Sequence, residues 1–140
     1  MDDLRQRNLA LAHLLLRLIP GILFLFAGLN KFIGGYGNFV SGMTGMFSEA
    51  DTWLPMFMIT PYTYALPFAE VALGTLCVLG LFTRQALTLA GLLLLSLAFG
   101  QILLGNHGTV FNNMSYVALT AAALATAEFR TWSLDGMMKR

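Results

Sequence analysis

Charge is scarce in this chain. Only 11 % of its 140 residues are Asp, Glu, Lys or Arg, against roughly 25 % in soluble domains, and that shortage sets it apart from the soluble globular class. The net charge is +1, with no basic stripe and no run of interleaved aromatics and arginines, which excludes a nucleic-acid binder. There is one cysteine, Cys77, inside an apolar run. A single thiol excludes an intramolecular disulfide, a Cys-x-x-Cys redox pair and a thiolate metal cage, and leaves Cys77 as a small packing residue. The chain also lacks the period-2 alternation of a membrane barrel.

What it has instead is hydrocarbon. Hydrophobic residues make up 57 % of the sequence, and a membrane crossing needs about 20 predominantly apolar residues. Four segments qualify, roughly 9–32, 63–82, 86–105 and 110–129. The expected fold is therefore all-α: one integral membrane domain over residues 1–140, built as a four-transmembrane-helix bundle. The first apolar run is too long for a signal sequence and contains Arg17 and Pro20, so it reads as a retained span. Arg5, Arg7, Arg84, Arg130, Lys139 and Arg140 fall on one side of this bundle. The positive-inside rule then puts both termini in the cytoplasm of a bacterial or archaeal cell, with the protein in the inner membrane.

The long connection, residues 34–62, lies on the outer side. Phe39, Val40, Met43, Met46 and Phe47 recur in it at helical spacing, which predicts a short amphipathic helix lying on or folding over the bundle. Met43, Met46, Met56, Met58, Met114 and His107 collect on that side too. Thioethers suit Cu(I), but methionine is also the usual filler of adaptable apolar surface, and no metal site is assigned. His13 and His107 belong on opposite sides of the membrane, which excludes a shared bis-histidine site.

Against this background the buried polar residues stand out. A carboxylate inside a span costs about 2.5–3.5 kcal/mol on insertion scales and calls for a partner or a water-filled cavity. Glu70 is such a residue, and Arg17 and Lys31 are its candidate partners. Arg17, Gly21, Phe24, Gly28 and Lys31 share one helix face, and Pro67, Glu70, Gly74, Cys77 and Leu81 form a matching stripe. Gln101, His107, Asn113 and Tyr116 fall in the same outer half. Together these residues predict a polar pocket open to the outer side, with Glu70, Arg17 and Lys31 as its chemical centre and Tyr116, Asn113, His107 and Gln101 as ligand contacts. A purely structural Arg17–Glu70 pair that fixes the bundle's register is the other reading.

Several short motifs carry a family resemblance. Arg17 in the first span, Gly28-Leu29-Asn30-Lys31 at its outer end and Glu70 with Gly74 in the second are three of them. Gly80-Leu81-Phe82-Thr83-Arg84 and Trp132-Ser133-Leu134-Asp135 complete the set. In this order the chain resembles the DoxX family of small membrane proteins, relatives of which are small subunits of thiosulfate:quinone oxidoreductase. The resemblance implies a four-helix membrane protein linked to quinone redox or sulfur metabolism, as a possible subunit of a quinone-dependent oxidoreductase.

A quinone headgroup needs donors for its carbonyls, a proton route and an apolar channel for its tail. Lys31, Tyr116, Asn113 or His107 offer donors and Glu70 offers a proton carrier. With no haem, flavin or metal motif in the chain, the electrons have to come from a partner subunit or from a substrate that reacts directly with the quinone. Two other functions fit the same residues: a non-enzymatic anchor for partner proteins, and a small carrier of an anionic solute, which with four spans would be a homo-oligomer.

Overall fold

Backbone N–H and C=O groups in hydrocarbon must be paired within the chain, which leaves helices as the solution for continuous apolar runs. The computed structural model describes residues 2–138, and it is helical throughout. The helices are α1 (Asp2–Ile33), α2 (Tyr36–Ala50), α3 (Met56–Leu79), α4 (Thr83–Leu103), α5 (His107–Ala125) and α6 (Leu134–Met138), with a 3₁₀ turn at Ala127–Phe129. No strand occurs among the described residues. Lys139 and Arg140, two of the residues behind the expected orientation, lie outside them.

Three helices, α1, α3 and α4, are long and apolar enough to cross a membrane. The expected count of four is met only in part. α5 has 19 residues, enough for about 28 Å at 1.5 Å per residue. Its first half, however, carries Thr109, Asn112, Asn113 and Ser115. Large apolar side chains such as Leu15, Ile22, Phe26, Phe68, Leu89 and Leu92 point outward from α1, α3 and α4, the surface a lipid environment accepts and water does not. This is an integral membrane protein.

α1 packs on α3, α3 on α4, α4 on α5 and α5 back on α1, closing a ring of four helices, while α2 lies against α3. Phe24, Cys77, Leu87, Ala90, Leu94 and Ala123 fill the centre. The α1–α3 contact is the tightest, and glycine sets it. A Cβ at Gly28 would lie 2.6 Å from the Val71 side chain and 3.0 Å from the Pro67 carbonyl oxygen, and one at Gly74 would strike the backbone of Leu25. The two stripes read from the sequence are thus the two faces that meet.

The C-terminal segment closes the basic end of the ring. α3 stops at Gly80, whose φ of 74° is left-handed, and a Cβ there would strike Ser133 and the Arg17 guanidinium. α4 begins without a cap from its own N-cap residue, Phe82, so its first N–H groups need an acceptor from elsewhere. Asp135 supplies it. Its carboxylate accepts from the Phe82 N–H at 3.0 Å, the Thr83 N–H at 2.7 Å and the Thr83 hydroxyl at 2.9 Å.

Burial of Asp135 works against its charge, but these bonds from Thr83 and Phe82, aided by Arg130, outweigh it and hold the carboxyl below its ordinary value. A depressed folded pKa means the clamp contributes fully above the unfolded carboxyl range, near pH 4, and is lost as pH falls through the lower folded value. In a Trp53→Phe background, Trp132 fluorescence should shift in that acid window. The step should be absent in Asp135→Asn, which at neutral pH should already be about 1 kcal/mol less stable.

Candidate functional site

Glu70 sits in the middle of α3, 2 % exposed. Its partner is Lys31, near the end of α1, at 2.7 Å between Nζ and Oε2. This is the one ion pair among the described residues. The Lys31 ammonium also lies 5.2 Å from the centre of the Phe39 ring, so α2 reaches over the pair from the side.

The pair lines an open cavity of about 250 Å³ between α1, α3, α4 and α5, with Met43 of α2 at its edge. Leu23, Phe24, Ala27, Leu66, Leu94 and Leu97 supply apolar walls, and Gln101, Thr109, Asn113 and Tyr116 supply polar ones. The side-chain polar groups of Gln101, Asn113 and Tyr116 make no hydrogen bond to one another or to any described residue. The Gln101 Oε1 atom is buried without a partner. Unmade hydrogen bonds of buried groups are costly, so this chamber has polar capacity available to a ligand. One net-neutral pair, three uncommitted polar side chains and an apolar floor suit a small, flat, uncharged group with carbonyl or hydroxyl functions.

Five of the seven residues proposed from the sequence therefore line one chamber: Glu70, Lys31, Gln101, Asn113 and Tyr116. Two do not. His107 is exposed at the first turn of α5, on the rim side but away from the walls. Arg17 is at the other end of the bundle, 1 % exposed, where its Nη2 donates to the Trp132 carbonyl oxygen at 3.0 Å. The α1–α3 register explains the separation. Gly21 meets Cys77 and Val78, and Gly28 meets Pro67 and Val71. Glu70 thus faces the last turns of α1, and Arg17 lies about 17 Å below it along the axis. No arginine side chain spans that distance, so the expected Arg17–Glu70 pair does not form.

Sequence reasoning passed over the polar cluster at Arg17. His13, one helical turn before it, is 1 % exposed, with Nδ1 3.0 Å from the Ala123 carbonyl oxygen and 3.2 Å from the Thr126 hydroxyl. Arg17 and His13 tie α1 to the end of α5 and to the C-terminal segment. The four-residue spacing of two polar groups in an apolar helix was the available signal.

Among known protein families, the model of the methylamine utilisation protein MauE matches residues 9–112. No curated protein and no solved structure matches the chain. The matched stretch covers about three quarters of the sequence, from the apolar part of α1 through the first turns of α5, and includes Lys31, Glu70 and Gln101.

The family is a different one from DoxX, and the resemblance to DoxX is corrected accordingly. The motifs behind it have physical roles that any tight helical bundle can use. Gly28 and Gly74 allow close helix contact, Gly80 ends α3, and Asp135 caps α4. The chain belongs to the MauE family of methylamine utilisation proteins.

Proposed function

We propose that this protein is a membrane accessory of methylamine utilisation, and that it binds the ring of a lipid-soluble quinone in the chamber beside Lys31 and Glu70. The observation that carries the reading is the ion pair itself, set at 2.7 Å into the wall of a chamber whose other polar side chains are uncommitted. The family name supplies the chemical context. Oxidising a primary amine with water to an aldehyde and ammonia releases two electrons and two protons, and a quinone takes up both pairs to become a quinol. The single cysteine and the separated histidines leave this chain without an electron carrier among its own side chains. The oxidation is therefore assigned to a partner protein, and this chain holds and orients the acceptor.

In this reading Lys31, Tyr116 and the amides of Asn113 and Gln101 face the ring oxygens, and Glu70 stands on the route of the protons. α5 serves as the fourth crossing, with Thr109, Asn113 and Tyr116 turned to the chamber. Arg5, Arg7, Arg84 and Arg130 share the end of the bundle opposite the chamber, so the chamber opens on the outer side of the inner membrane and both termini are cytoplasmic. An anion carrier is less well supported, because Arg17 stands apart and the one cation in the chamber is neutralised.

Native mass spectrometry of the protein in mild detergent, with extraction and chromatography of the released lipids, tests the proposal. The wild type should retain quinone, and Glu70→Gln and Lys31→Ala should lose at least about 90 % of it while eluting at the same position. Ligand-free wild-type protein carrying a second polypeptide would replace this reading with that of an anchor.

A further inference from the structure

A second cavity adjoins the chamber. It is a groove of about 230 Å³ between α3 and α4, covered by α2. Phe47, Leu54, Met58, Ile59 and Phe99 give it hydrocarbon walls. Its polar groups other than Gln101, which stands at the chamber end, are already engaged. The Tyr62 hydroxyl bonds the Ser96 hydroxyl at 2.6 Å, Ser96 donates to the Leu93 carbonyl oxygen at 2.7 Å, and Thr63 donates to the Ile59 carbonyl oxygen at 2.8 Å. Away from Gln101, nothing in this groove asks for a polar ligand.

Met43, Leu97 and Gln101 line both spaces, so the groove and the chamber share a boundary at these side chains. Gln101 stands at the seam with its buried, unpartnered oxygen. The charge balance narrows the head that fits. The chamber's cation, Lys31, is neutralised by Glu70 at 2.7 Å, which leaves no free charge for a phosphate. An uncharged ring with a hydrocarbon tail is the amphiphile this pair of cavities matches.

We infer that the groove under α2 holds the prenyl tail of the quinone whose ring occupies the chamber, and that Gln101 at the seam accepts the O–H of the reduced ring. The inference rests on the quinone reading of the chamber and adds the tail, its path and a preference for the reduced form. At about 30 Å³ for each water-sized group, the groove takes roughly eight carbons, or between one and two isoprene units.

Gly100 provides the test, because a Cβ there would point at the Phe47 ring, 3.3 Å from its tip. Gly100→Leu should fill the groove and leave the chamber open, and Gly100→Ala is the mild control. Binding of a tailless benzoquinone and of its two-isoprene homologue is measured in nanodiscs, comparing variants for each compound so that partition into the bilayer cancels. Gly100→Leu should weaken the tailed quinone about tenfold or more and leave the tailless one within about twofold. Gln101→Leu should weaken the tailed quinol about three- to tenfold more than the tailed quinone.

If Gly100→Leu weakens neither compound, the tail does not lie in the groove and this inference fails while the chamber reading stands. The inference fails in the same way if wild type carries a phospholipid that Gly100→Leu expels with quinone affinity unchanged. If the tailless compound fails to bind wild type, or binds Glu70→Gln equally well, the chamber reading fails and takes the tail with it.

Discussion

Lys31→Met should destabilise the protein by about 3–5 kcal/mol, the cost of removing one partner of a buried ion pair. The reverse change should cost much less. The two ends of the pair differ in exposure: the Glu70 side chain is 3 % accessible and that of Lys31 is 21 %. When Lys31 is lost, a carboxylate in the middle of α3 keeps its burial and loses its only ionic partner. When Glu70 becomes glutamine, the lysine can extend toward the membrane surface and recover water, and about 1–2 kcal/mol is expected. The double change Lys31→Met with Glu70→Gln should be more stable than Lys31→Met alone, a coupling of at least about 1 kcal/mol. Reversible unfolding in mixed micelles measures all four proteins. Equal costs for the two single changes, or strict additivity, would mean the pair is solvated rather than buried. Glu70→Gln also keeps most of its stability in this account, so its loss of quinone binding reports on the site and not on unfolding.

The faces of the helices were legible in the sequence because helical periodicity is a local property. Arg17, Gly21, Phe24 and Gly28 on α1 are buried, as are Pro67, Glu70, Gly74 and Cys77 on α3, and the 39–47 stretch forms the amphipathic helix α2, with Val40 and Phe47 buried. Axial register was not legible. Periodicity says which face of α1 meets α3, but sliding one helix by three turns along the other keeps every face and changes every partner. Glycine contacts settle the slide, and of the two candidate partners they set Lys31, not Arg17, beside Glu70. The Trp132–Asp135 segment was opaque for a similar reason. Its work is done across some 50 residues of sequence, between Asp135 and Thr83, and nothing near Asp135 announces a helix cap. His107 was misplaced because a turn residue next to a predicted pocket has no periodicity to aim it. The polar half of α5 had the opposite effect: Asn113 and Tyr116, which line the chamber, belong to the residues that keep α5 out of the most apolar class.

The same register makes Gly74 the position least able to accept a side chain. A Cβ there would meet the backbone nitrogen and Cα of Leu25 and the Gly21 carbonyl oxygen. These are main-chain atoms in the middle of a helix, and no rotamer change moves them away. Gly74→Ala should cost about 1–3 kcal/mol despite alanine's better helix propensity, and Gly74→Leu should lower the yield of folded protein severely. Gly91 is the control. Its Cβ would touch only the Thr120 methyl group at 3.7 Å, an ordinary contact, so Gly91→Ala should be neutral or stabilise by up to about 1 kcal/mol. The loss at Gly74 also has a functional side. Lys31 is on α1 and Glu70 on α3, one turn from Gly74 along the helix, so prising the helices apart lengthens the ion pair. Gly74→Ala should therefore lower tailless-quinone affinity as well as stability, whereas Gly91→Ala should change neither for the worse. A Gly74→Ala protein as stable as wild type would show that α1 and α3 do not meet at this register, and the assignment of Lys31 to Glu70 would fall with it.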